Sequence, residues 1–103
     1  MENKERKIQE IQILEQSLQN LLLQKQAFNM EISETTAAKK EIEKAGDDVF
    51  KIIGQLMIKS DKSKVKEELS NKERLLDLRI KSLEKQELSF LEKIDSLRKE
   101  ILG

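Results

Sequence analysis

Apolar residues recur at alternating spacings of three and four along the first part of the chain. Ile11, Leu14, Leu18, Leu21, Phe28, Ile32 and Ile42 fall on one stripe when Ile11 is written as position a of a heptad. That repeat predicts a coiled-coil helix over about 4–45. Lys25, Thr35 and Lys39 occupy slots of the same stripe and interrupt it. Residues 4–44 contain neither Gly nor Pro, and good helix formers dominate. At a rise of about 1.5 Å per residue the helix would run roughly 60 Å. Its stripe needs a partner, because an isolated helix gains too little in water.

The pattern stops at Ala45-Gly46-Asp47-Asp48. Gly46 is expected to take a left-handed C-cap conformation, and the two aspartates favour a turn. Residues 49–59, VFKIIGQLMIK, then carry apolar side chains on both faces: Val49, Phe50, Ile52, Ile53, Leu56, Met57 and Ile58. With Gly54-Gln55 as a two-residue type II′ turn, this stretch reads as a β-hairpin. A buried apolar helical segment is the rival reading, since periodicity alone does not separate the two in so short a run.

A second Gly- and Pro-free segment predicts another helix over about 63–102. Ser60-Asp61-Lys62-Ser63 offers N-cap candidates, and Glu67 and Glu68 complement the helix dipole. Its stripe has Leu69, Leu76, Leu83, Phe90 and Leu97 at d, with Ile80, Ile94 and Ile101 at a; Glu73 and Glu87 interrupt it.

The expected fold is mainly α, a single domain over 1–103. Two helices of matching length pair as an antiparallel coiled-coil hairpin, with the β-hairpin at the bend. Symmetry about Gly54 brings Leu14 near Ile94, Phe28 near Ile80 and Ile11 near Leu97, and puts both termini at the far tip. A lone two-stranded hairpin is marginal in water and leaves two unpaired edges. The strands are therefore expected to complete a sheet or barrel shared by several chains. Folding back onto the coiled-coil end is the alternative.

Composition narrows the function. Charged residues make up 39% and aromatics 3%, with no Trp, Tyr, Pro, Cys or His. That suits a thin object with a seam rather than a compact core. Lys plus Arg and Asp plus Glu number 20 each, balanced within each half, so the basic footprint of a nucleic-acid binder is missing. No apolar run reaches a membrane span and no signal-peptide core follows the N-terminus. With no Cys, a soluble cytoplasmic protein is expected.

Chemistry is scarce. Without His or Cys the usual nucleophile–base pairs and transition-metal sites are absent, and the three glycines form no phosphate-binding loop. Asp47/Asp48 and Glu67/Glu68 read as a turn and a helix start. No enzyme activity, metal or cofactor is expected. Six glutamines along helix 1, Gln9 to Gln26, read as exposed helix formers. Ile8, Ile13, Leu22, Leu23, Leu88, Leu91 and Leu102 lie off the seam, in the half nearest the termini. Such a cluster either is ordinary surface or forms a patch for other proteins' apolar segments.

The runs Val49-Phe50-Lys51-Ile52-Ile53-Gly54, Leu56-Met57-Ile58-Lys59, Glu67-Glu68-Leu69 and Leu78-Arg79-Ile80-Lys81-Ser82-Leu83-Glu84-Lys85-Gln86-Glu87 closely resemble the beta-type subunits of the prefoldin (GimC) family, the archaeal form nearest. The likeness covers nearly the whole chain. It implies an ATP-independent chaperone subunit. In that family two alpha and four beta subunits assemble through their strands into a double β-barrel. The coiled-coil tips capture non-native proteins and pass them to a group II chaperonin. Only one hairpin fits between these helices, as in beta-type chains. Many relatives have Pro after the turn glycine, where this chain has Gln55.

Carried onto this sequence, assembly falls to Val49, Phe50, Ile52, Ile53, Gly54, Leu56, Met57 and Ile58. Client capture is assigned to apolar residues near both ends: Ile8, Ile11, Ile13, Leu14, Leu97, Ile101 and Leu102. A structural coiled-coil oligomerisation module without client binding is the alternative function.

Overall fold

The computed structural model describes residues 2–103, with side chains from residue 3 onward. Met1, inside the expected domain span, lies outside the described residues. The order is α1 (Glu2–Lys44), β1 (Asp48–Ile53), β2 (Leu56–Asp61) and α2 (Lys62–Leu102). The chain is thus mainly helical, with a two-stranded antiparallel hairpin between two long helices. It divides into two compact units. One contains residues up to 28 with 79–103; the other is 29–78.

In the first unit, Ile11 and Leu21 of α1 and Ile80, Leu83 and Ile94 of α2 are buried. They are a and d residues of the two stripes, so the heptad pattern marks the seam. The flanks carry ion pairs between the helices: Glu15 with Arg98 at 2.7 Å and Lys7 with Glu100 at 3.3 Å. The Arg79 guanidinium lies 5.8 Å from the Phe28 ring centroid. These pairs place α1 and α2 antiparallel, with partners at comparable distances from the turn.

In the second unit, Leu76, Val49 and Thr35 are buried. Thr35 fills a d slot, and its buried hydroxyl is satisfied by donating to the Glu31 carbonyl at 2.8 Å. Lys72 pairs with Glu31 at 3.4 Å and Lys66 with Glu43 at 3.3 Å across the helices.

The charged residues interrupting the two stripes face each other. Lys25 of α1 meets Glu87 of α2 at 3.5 Å. Lys39 of α1 meets Glu73 of α2 at 2.7 Å, and the Thr36 hydroxyl donates to the other Glu73 oxygen at 2.8 Å. Each charged break in one stripe is answered by a break of opposite sign in the other, while the uncharged Thr35 is satisfied within its own helix. Paired charges at core positions reward a single register.

Helix α1 does not end as expected. Gly54 is the one described residue with positive φ, so Gly46 is not a left-handed cap. The Lys62 ammonium ends the helix instead, donating to the Ala45 carbonyl at 2.8 Å and the Glu43 carbonyl at 3.4 Å. A cation at a helix C-terminus satisfies orphan carbonyls and complements the dipole. With that cap supplied from α2, Gly46 needs no special conformation. Asp61 caps the start of α2, its carboxylate accepting from the Ser63 N–H at 3.1 Å.

Candidate functional site

The hairpin is held in a fixed register, with Ile53 opposite Leu56, Ile52 opposite Met57 and Lys51 opposite Ile58. Pairing continues to Asp48 opposite Asp61, so both strands run beyond 49–59. Lys59 offsets the facing acids by pairing with Asp48 at 3.2 Å. Gly54 has φ +60° and Gln55 does not enter the positive region, which gives the two-residue loop its type II′ character. The helical reading of this stretch is therefore excluded.

Side chains alternate across the strands. One face carries Val49, Lys51, Ile53, Leu56 and Ile58. Val49 is buried, and Lys51 reaches Glu68 of α2 at 2.6 Å, so this face turns partly toward the helix start. The other face carries Phe50, Ile52 and Met57, all exposed, Ile52 at 71%. Ile53, Leu56 and Ile58 are exposed as well. The hairpin does not fold back over the helices: of its apolar side chains only Val49 is covered. Among the described residues the sheet has two strands, so the outer edge of each is unpaired.

The residues near the helix ends separate into three environments. Ile11 is buried in the seam. Leu14, Leu97 and Ile101 are half-buried at its margin. Ile8, Ile13 and Leu102 are exposed. Ile13, Leu14 and Leu97 line one open groove of about 410 Å³, with Glu10, Lys93 and Ser96 at its rim. Ile11 thus belongs to the seam, while Ile13, Leu14 and Leu97 line the groove. Apolar side chains off the seam are not confined to the half nearest the termini. Met30, Leu75 and Leu78 are also exposed, in the second unit. Single apolar residues off a stripe give no periodic signal that would mark them.

The Lys39 hydrogen bond, then that of Thr36, holds the Glu73 carboxyl below the usual carboxylate value. Among the described residues no cluster of three or more His, Cys, Asp or Glu could hold a metal ion. No described helix is long and apolar enough to cross a membrane. What the arrangement can do is present apolar surface: a sheet with open edges, and grooves along paired helices.

Comparison with known proteins gives that surface a family. A family model described as "Prefoldin subunit" matches residues 5–102. The chain is 39% identical over 89 residues to prefoldin subunit beta of Thermococcus onnurineus (strain NA1), covering 84% of this chain and 77% of that one. It is 37% identical over 94 residues to prefoldin subunit beta of Methanothrix thermoacetophila, covering 89% and 78%. The crystal structure of the prefoldin beta subunit from Thermococcus strain KS-1 superposes with a TM-score of 0.88 at 33% identity, covering 95% of this chain and 88% of that one. The chain therefore belongs to the prefoldin family of chaperone subunits and is similar throughout to its beta-type members.

Proposed function

We propose that this chain is an ATP-independent chaperone subunit. It assembles through its hairpin with alpha-type prefoldin subunits, two alpha and four beta in a hexamer, into a shared β-barrel platform. With the apolar surface near its helix ends it captures non-native polypeptides, and it passes them in the cytoplasm to a group II chaperonin. The assembly residues are Val49, Phe50, Ile52, Ile53, Gly54, Leu56, Met57 and Ile58. The capture surface is formed by Ile8, Ile13, Leu14, Leu97, Ile101 and Leu102, with Ile11 holding the seam beneath it.

The single observation that carries this reading is the exposed hairpin. Six large apolar side chains lie uncovered on a two-stranded sheet with both edges open. Such an element is unstable in water without further strands. The groove beside Ile13 and Leu97 supports the capture part of this reading. Burying apolar area gains about 25 cal/mol per Å², so one such groove holds a client weakly after association costs. Several chains in one assembly raise the effective concentration. Weak contacts summed in this way let a client leave without nucleotide hydrolysis.

The test changes Ile8, Ile13, Ile101 and Leu102 together to Ser in the assembled protein and follows aggregation of a chemically unfolded protein by light scattering. The variant should assemble normally and lose suppression of aggregation. Unchanged suppression would count against capture at the helix ends.

A further inference from the structure

The first unit carries a second apolar surface that the capture groove does not include. Glu15 and Arg98, paired at 2.7 Å, mark one lateral side of the paired helices, since both occupy position e of their heptads. One heptad further from the helix ends, the same two positions hold Leu22 and Leu91. Where an ion pair would seal the flank, two leucines remain exposed, at 44% and 47%. Leu88 precedes Leu91 by one helical turn on the same side of α2 and is also exposed. Leu22 and Leu23, with Gln19 and Gln26, line an open concavity of about 310 Å³ on α1. The groove of Ile13 and Leu97 has Glu10 and Lys93 at its rim, and both occupy position g, which lies on the opposite side of the pair.

We propose that Leu22, Leu23, Leu88 and Leu91 form a second contact surface for non-native polypeptide, one that takes short, uncharged apolar segments independently of the Ile13–Leu97 groove. The inference rests on the capture reading above and extends it to a site of its own. Two features choose the occupant. On α1 the surface is bordered by neutral amides, and on α2 by charges of mixed sign, Glu84, Lys85 and Asp95, so it has no field with which to select a charged partner. Its exposed area is roughly 400 Å², half of the ~800 Å² per partner that a stable protein interface needs. It is therefore too small to hold a folded subunit or a second copy, and large enough for a few apolar side chains of an extended segment. Surfaces on both flanks would let one chain hold two segments of the same client.

The experiment uses the full chain assembled with its alpha-type partner, and a fluorescently labelled short peptide of Leu, Ile, Gln and Ser as the probe. Leu22, Leu88 and Leu91 are changed together to Gln, which keeps helix propensity, and in a companion variant to Met, which keeps apolar area. Ile13 is changed to Gln as the groove variant. The Gln triple variant should bind the peptide about tenfold more weakly with unchanged sedimentation, the Met variant should bind normally, and a photo-crosslinking residue at position 88 should capture the peptide. Normal binding by the Gln triple variant together with loss in the groove variant would overturn the second surface while leaving capture intact. A changed sedimentation with unchanged peptide binding would overturn it in favour of contact between copies. Should the Gln variant lose helix content, the crosslink decides: labelling at position 13 and none at 88 overturns the proposal. If the unaltered assembly binds neither the peptide nor a urea-unfolded protein, the capture reading itself fails.

Discussion

Lys39 and Glu73, each an interruption of its own helix's apolar stripe, meet at 2.7 Å across the coiled coil, and Thr36 completes the carboxylate's bonding at 2.8 Å. Lys25 and Glu87 repeat the relationship in the other unit. Slipping the helices by one turn would separate each cation from its acid and leave both against apolar neighbours. Reversing one charge, as Lys39→Glu or Glu73→Lys, should therefore lower the melting temperature clearly. The double reversal should recover most of the loss. A double-mutant cycle by thermal unfolding checks the coupling; additive effects would show that the pair does not set the register.

The same pair gives a pH dependence. The Lys39 and Thr36 hydrogen bonds lower the folded-state pKa of Glu73 from its ordinary value of 4.5. A depressed carboxyl contributes stability that is fully present above the unfolded pKa and is lost as pH falls through the folded one. Unfolding curves should thus show this contribution intact from neutral pH down to about 5 and fading below 4.5. Glu73→Gln should remove that part of the acid dependence, visible as a flatter slope of stability against pH.

Ile94, among the most buried side chains at 4% exposure, contrasts with Ile13, which is open to solvent. Ile94→Ala should cost about 2–4 kcal/mol of stability through lost burial and an unfilled seam. Ile13→Ala should cost under ~0.5 kcal/mol, as surface changes usually do. Denaturant titration of both variants separates a residue that holds the helices from one that is available to a client.

Gly54 has φ +60° with open space around its Cβ position. The cost of a side chain there is therefore backbone strain alone, about 1–3 kcal/mol for Ala. Gly54→Ala should weaken the hairpin while leaving helix content near normal by circular dichroism.

Lys62 holds the end of α1 through two carbonyls. Lys62→Met keeps the apolar stem and removes the donor, and should fray the last turn of α1 at a cost of about 0.5–1.5 kcal/mol. Faster amide exchange confined to that turn would register the loss.

Much of this was readable in the sequence because it is periodic. Ile11, Leu21, Leu76, Ile80, Leu83 and Ile94 follow the heptad and are buried. The hairpin was visible through apolar residues on both faces around a glycine. What escaped the sequence depends on distant partners. Gly46 looked like the helix stop because the true cap, Lys62, is 17 residues away. Lys25, Lys39, Glu73 and Glu87 read only as flaws until the antiparallel register brought them together. Ile11 carried two expectations, a seam slot and a contact residue, and its burial favours the first.

Native mass spectrometry will show whether the exposed hairpin is the assembly element. The full chain should form a defined hetero-oligomer when mixed with an alpha-type prefoldin subunit. The variant with Phe50, Ile52 and Met57 changed to Ser should remain a helical, unassembled chain. An unaltered chain that stays monomeric with its partner at micromolar concentration, or a Ser variant that assembles as well as the unaltered chain, would contradict the account.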